Sequence, residues 1–265
     1  MLMPAKVRAV STAGKAWRMV TEVSRTQPKL VLSAFLLCAL SYIPYYLTWL
    51  NLGPVATLND IVTGYGRWII DLIQGIVCLP LTNAVCRRVL LSEHADQPIW
   101  ESAVWRNRAF WAIAAAIFIV KLVTTEMTGD SGSALLHHVI PSDAVVILMQ
   151  WLFWLIGLIL GLALWLVVPA AAVHAKTSRM QSAFLGLRGQ FWRLWFTWFL
   201  ATSPLWLPSY VLAFATDQKA NPEITFIIIS SLWTQLISFA LVIVGATVMS
   251  IFYQATSEEA LGQRR

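Results

Sequence analysis

The chain has 265 residues, 58% of them hydrophobic and only 12% charged, with a mean hydropathy of +0.68. A soluble domain carries about 45–50% apolar and about 25% charged residues, so this balance excludes a disordered chain, a solvent-facing enzyme of ordinary composition and a nucleic-acid binder built on a broad charged face. The net charge of +6 and the pI near 9.5 must then be explained by where the charges fall.

Residues 1–29 form a basic amphipathic segment. Val7, Val10, Ala13, Trp17 and Val20 share one helical face, the pattern of a helix lying on an anionic inner leaflet. Gly14 within it costs about 1 kcal/mol of helix stability. Glu22 is its one acidic residue, so the stretch also fits a mitochondrial presequence, and with it a mitochondrial inner membrane.

Six apolar stretches follow, and crossing the hydrocarbon takes about 20 such residues as helix. The first covers about 30–50 and closes at Asn51 and the Gly53-Pro54 turn; the second covers 60–82 and is interrupted by Arg67, Asp71 and Pro80. The third covers 104–123, and the fourth, 143–173, opens at Pro141-Ser142-Asp143, a plausible helix cap. The fifth, 191–214, contains Pro204 and Pro208; the sixth, 222–253, opens at Asn221-Pro222-Glu223 and leads to a tail over 255–265. Spans four and six exceed the bilayer core and must tilt or project from it. The expected fold class is all-α: an integral membrane bundle of six transmembrane helices with amphipathic cytoplasmic segments. Many of the 14 tryptophans, such as Trp49, Trp68, Trp105 and Trp192, fall near span ends, as interfacial anchors do. Cys38, Cys78 and Cys86 lie in or beside apolar runs and read as small hydrophobes, not as a disulfide framework or metal knuckle.

Of the 19 basic residues, all but Arg67, Lys121 and Lys219 fall on one side of this arrangement. The positive-inside rule puts both termini in the cytoplasm, which explains the basic balance without a nucleic-acid partner.

The hairpins repeat. Ser102-Ala103-Val104-Trp105-Arg106-Asn107-Arg108-Ala109-Phe110-Trp111 parallels Ser182-Ala183-Phe184-Leu185-Gly186-Leu187-Arg188-Gly189-Gln190-Phe191-Trp192-Arg193, each ending in Phe-Trp at the membrane boundary. Ala16-Trp17-Arg18 is a weaker third copy, and Pro80 and Pro169 recur near the cytoplasmic ends of spans two and four. Three two-helix hairpins result.

Val167-Val168-Pro169-Ala170-Ala171-Ala172-Val173, followed by Ser182-Ala183-Phe184, Leu187, Gly189 and Trp192-Arg193-Leu194, resembles a pattern in bacterial six-span inner-membrane families of uncharacterised function. The layout is similar to the membrane domain fused to some glycerophosphodiester phosphodiesterases. Cys86-Arg87-Arg88-Val89-Leu90-Leu91-Ser92-Glu93, followed by Trp105-Arg106-Asn107-Arg108-Ala109-Phe110, resembles a second pattern in alphaproteobacterial relatives. The resemblance implies a bacterial inner membrane and brings no catalytic residues.

Arg67, Asp71 and Gln74 stand at i, i+4 and i+7 on one face of the second span. Charges at that depth face a bundle interior or a water-filled cavity. They are either a substrate or proton site or a self-satisfied pair pinning the bundle. Counting helix depth from the outer ends puts Gln150 and Gln235 at a similar level, so Arg67, Asp71, Gln74, Gln150 and Gln235 form one candidate intramembrane polar cluster. His137 and His138 diverge by about 100° on a helix and suit an exposed segment, not a shared metal. His94 and His174 lack ligand spacing, and Gly157-Leu158-Ile159-Leu160-Gly161 is a small-xxx-small packing match.

No Walker motif, nucleophile elbow, HExxH, CxxC or haem spacing occurs. No catalytic, cofactor-binding or metal-binding residue is therefore assigned. The expected role is non-enzymatic, in interaction or envelope support, with membrane lipids and an unidentified protein as partners. The alternative is a small transporter or lipid-handling protein using the Arg67/Asp71 face; an intramembrane enzyme ranks last. The charge bias makes a direct prediction: cysteines placed at Ser131 or Gln218 react with an impermeant maleimide in intact cells, and cysteines at Gln97 or Thr177 do not. Reversed labelling would overturn the orientation.

Overall fold

A computed structural model describes residues 8–40, 65–93, 96–140, 142–173, 190–208 and 224–262; for residues 65–71, 99, 130, 131, 224–231, 234 and 257–262 it describes the backbone path alone. Every regular element among them is helical: α1 (Ala9–Thr26), α2 (Pro28–Leu40), α3 (Tyr65–Leu91), α4 (Arg108–Thr128), α5 (Asp130–Val139), α6 (Asp143–Ala172), α7 (190–208) and α8 (Ile224–Gly262). Two short 3-10 turns, Ile99–Glu101 and Ala103–Arg106, lead into α4.

The chain is all-α. Three helices, rather than the six expected, are long and apolar enough to cross a membrane among the described residues: α4, α6 and the Gln235–Thr256 part of α8. Helix α2 is a shorter apolar helix. The rest of the expected first span, with Asn51 and Gly53-Pro54, lies outside the described residues, as do residues 209–214 of the fifth span, the 174–189 segment and Lys219.

Helix α8 is apolar on all sides, which suits burial at the centre of a bundle. One face puts Val244, Val248, Met249 and Phe252 against α1, α6 and α7; the other puts Phe239, Ile243 and Ala246 against α2, α3 and the ends of α4 and α6. Leu148, Trp151, Leu152, Trp154 and Leu155 of α6 are exposed, a surface suited to lipid. Helices α4 and α6 pack along their length, and Gly157 leaves room for Thr124 of α4, because a Cβ there would stand 2.8 Å from Thr124 Cβ. The small-xxx-small match thus makes a contact inside the bundle through Gly157, whereas Gly161 faces open space.

The boundaries differ from the expected spans for identifiable reasons. Helix α3 continues past Thr82 to Leu91, through Pro80 and the two arginines, because those arginines find partners. Ser92 then turns with φ 57°, a left-handed conformation that costs a non-glycine residue about 1–2 kcal/mol. Beyond that turn Glu93 holds Arg87 through two hydrogen bonds of 2.7 and 2.9 Å, while Arg87 Nη1 donates to the Ala172 carbonyl at 3.0 Å. Helix α4 starts at Arg108 rather than Val104 because Asn107 caps it: its Oδ1 accepts from the Phe110 N–H at 3.1 Å. Asn107 Nδ2 donates to the Ala171 carbonyl at 2.9 Å. Two terminal carbonyls of α6, which have no partner in their own helix, are thus satisfied by a cation and an amide.

Helix α1 forms where the amphipathic segment predicts one, and it packs into the bundle through a stripe that shares Ala13, Trp17 and Val20 with the expected face. Thr12, Ala13, Ala16 and Val23 are buried, whereas Val10 is 76% exposed. Small residues let the helix sit close; the indole N–H of Trp17 donates to the Ala201 carbonyl at 3.1 Å, and Glu22 pairs with Arg88, which is only 6% exposed. The N–H of Lys29 donates to Asp96 at 3.0 Å. Lys29, Arg87, Arg88 and Asn107 therefore occupy one end of the bundle.

Asn107→Ala removes both the cap and the Ala171 contact, and should cost about 1–3 kcal/mol of stability in detergent. Asn107→Ser should recover the cap alone and fall between the two. Equal stability of all three would mean that this junction does not hold the helices.

Candidate functional site

Helices α3 and α4 touch only sparingly. The gap between them, flanked by α2, α6 and α8, holds a partly open cavity of about 440 Å³ with an overwhelmingly apolar wall. This lies in the size range of small-molecule sites, which are mostly apolar with a few placed polar groups.

Most polar side chains near it are satisfied within their own helix. The hydroxyl of Thr82, which lines the cavity, donates to the Cys78 carbonyl at 3.0 Å. Gln235 and Gln74 differ. Gln235 is only 2% exposed, and neither its Oε1 nor its Nε2 has a hydrogen-bond partner; Gln74 Nε2 is likewise buried without one. Both side chains line the cavity. An unpaired buried amide costs about 1–3 kcal/mol, so the fold keeps these two against a stability gradient.

Prolines interrupt the walls at two further points. Pro80 and Pro169 have no N–H for the carbonyls of Ile76 and Trp165, four residues earlier, and both of those residues line the cavity. The thiols of Cys38 and Cys78 share a hydrogen bond across α2 and α3 on the same wall. Lys121 of α4 lines the cavity as well.

Of the five residues grouped by helix depth, Gln74 and Gln235 both line this cavity. Gln150 is not among its lining residues; its amide points to the Gly129 carbonyl at 3.5 Å. Arg67 and Asp71 belong to α3, one turn apart and N-terminal to Gln74, and their side chains lie outside the described residues. His137 lies in α5, with Nδ1 3.7 Å from Asp143. Among the described residues no group of three potential metal ligands comes together, and His94 and His174 are outside that set.

Sequence reasoning counted Lys121 only as an outer-side charge and treated the cysteines as separate hydrophobes. The available signal was Lys121 itself, a single cation between Val120 and Leu122 in an apolar run. The Cys38–Cys78 contact joins two helices and leaves no mark on either stretch. No protein-family model, curated protein or solved structure matches the chain.

Gln235→Leu keeps the approximate volume and removes two unpaired polar atoms, so the ligand-free protein should melt at a higher temperature in detergent than the wild type. A lower melting temperature would show that the amide has a structural partner.

Proposed function

We propose that this is a non-enzymatic, six-span protein of a bacterial inner membrane, with both termini in the cytoplasm, that handles a lipid-like amphiphile in the cavity between α3 and α4. The observation that carries the reading is Gln235, an unpartnered amide buried in the wall of a largely apolar cavity. A purely structural bundle gains nothing from that arrangement, and an apolar substitution would relieve it. A role confined to interaction or envelope support leaves the chamber without a use.

Six spans are supported by three qualifying helices together with the apolar α2, by the length of α3 and α7, and by the basic residues gathered at one end of the bundle. The three-hairpin layout accounts for the alternation of those basic segments, and the resemblance to bacterial six-span families favours a bacterial over a mitochondrial membrane. Membrane lipid is the partner that the cavity's apolar wall suits.

Native mass spectrometry of the protein released from mild detergent tests the reading. The wild type should carry a single bound amphiphile. Gly75→Phe should not, because Gly75 lines the cavity and a Cβ there meets nothing within 4 Å, so the larger side chain has room to occupy it. A ligand-free wild type, or a variant that binds as the wild type does, would overturn the proposal.

A further inference from the structure

The two ends of the cavity differ in what they ask of an occupant. Arg87, late in α3, and Asn107, just before α4, both hold the C-terminal end of α6, so α3 ends where α4 begins. Helix α8 runs with α3, because Cys86 and Ser250, late in each, share a hydrogen bond. Within the lining, Thr82, Phe110, Trp111 and Trp165 therefore lie toward the α6 terminus, and Gln74 and Gln235 lie away from it. Helix α4 lines the cavity from Phe110 to Lys121, which at 1.5 Å per residue is about 16 Å along its axis. Leu72 and Ile119 line the cavity and are exposed, so apolar side chains of α3 and α4 edge its opening.

The unmet hydrogen bonds in the lining are uncharged and of both kinds. Lys121 and Ser238 line the cavity but have partners of their own, and Thr82 bonds to its own helix. That leaves the two glutamines. Gln235 lacks a donor for Oε1 and an acceptor for Nε2, and Gln74 lacks an acceptor for Nε2. A head that only accepts, such as an ether, leaves Gln235 Oε1 unmet; one that only donates, such as an ammonium, leaves both Nε2 groups unmet. A hydroxyl donates one hydrogen bond and has two lone pairs to accept with, so a pair of hydroxyls serves all three atoms. A charged head would lose its hydration to a largely apolar wall whose one described charged residue, Lys121, is already partnered.

Resting on the lipid-handling reading above, we infer that the cavity takes a single-chain neutral lipid with free hydroxyls at its head, in the class of a monoacylglycerol. The hydroxyls sit at Gln74 and Gln235, and the chain runs toward Trp165 and Phe110. The length of the lining suits one extended chain, and the place of the two amides fixes its direction. The apolar edge at Leu72 and Ile119 lets such a lipid enter from the bilayer without leaving hydrocarbon.

The probe is 1-(9,10-dibromostearoyl)glycerol, whose mid-chain bromines quench tryptophan, added to the full-length protein in vesicles of dioleoylphosphatidylcholine. That lipid has no hydrogen-bond donor, so it does not compete for Gln235 Oε1. Trp111 and Trp165 line the chain's end of the cavity. Quenching should show a saturable part above the linear part from probe dissolved in the bilayer, and Trp111→Phe with Trp165→Phe should remove it. The probe's dimethyl ether keeps the chain and the acceptors but loses both donors; it should bind about tenfold more weakly, which is about 1.4 kcal/mol. Gln235→Leu should bind the two alike, whereas Gln74→Leu should weaken both and keep their ratio. Ionised 9,10-dibromostearate should bind more weakly than the probe, and free glycerol should not displace it.

Equal binding of the probe and its dimethyl ether by the wild type would overturn the hydroxyl head and leave the amphiphile reading intact. Tighter binding of the ionised acid would overturn the uncharged head in the same way. Saturable quenching that survives loss of both tryptophans would overturn the direction of the chain, and displacement by glycerol would overturn the need for one. No saturable quenching by probe, ether or acid would defeat the inference together with the reading on which it rests.

Discussion

Inside hydrocarbon a polar group has no water to fall back on, so it must find its partner within the chain or its ligand. Most of this bundle meets that constraint by the shortest route. The hydroxyls of Thr197, Thr202, Thr247, Ser250 and Thr256 each donate to a carbonyl four residues earlier in the same helix. Such side chains then pack between helices almost as small apolar groups. Helix ends are harder, because their last carbonyls have no partner in the helix. At the end of α6, Arg87 and Asn107 supply the missing donors from two other segments. An amide within a span is harder still: it has a donor and an acceptor to satisfy together, and Gln235 satisfies neither.

The same constraint explains which parts of the fold were legible in the sequence. Helix α6 begins at Asp143 as expected and ends one residue before the expected limit, since a proline-serine-aspartate start and an unbroken apolar run are local signals. The apolar run alone starts the third span at about Val104, although Asn107 directly precedes the helix and is a residue type that caps. Arg106 and Arg108 carry the charge at this boundary, while the buried amide of Asn107 between them holds the junction. The expected stripe on α1 holds in part: Ala13, Trp17 and Val20 pack inward, but the small Ala16 takes the closest seat and Val10 faces outward.

The site was legible in part for the same reason. Depth along a helix is readable from sequence, and it put Gln74 and Gln235 at one level, where both line the cavity. Rotation about the helix axis is set by neighbours, and Gln150 at similar depth turns toward the junction of α4 and α5 instead. The cavity itself has no local signature. It exists because α4 leans on α6, where Gly157 permits close contact, and so stands away from α3.

The seating of α1 has a consequence for the order in which the protein is built. Trp17 reaches a carbonyl 184 residues further along the chain, and Ala13 and Ala16 pack in a cluster completed by α7 and α8. Helix α1 leaves the ribosome before α7 and α8 and therefore has no finished seat until both exist. At about 5–20 residues per second, synthesis of the intervening chain takes on the order of tens of seconds. Through that interval Val10, Trp17 and Val20 need an apolar surface and Arg8, Lys15 and Arg18 need water or anions, and a membrane surface offers both. The amphipathic pattern of α1 thus serves the growing chain first, as a parking place at the bilayer, and the finished bundle afterwards.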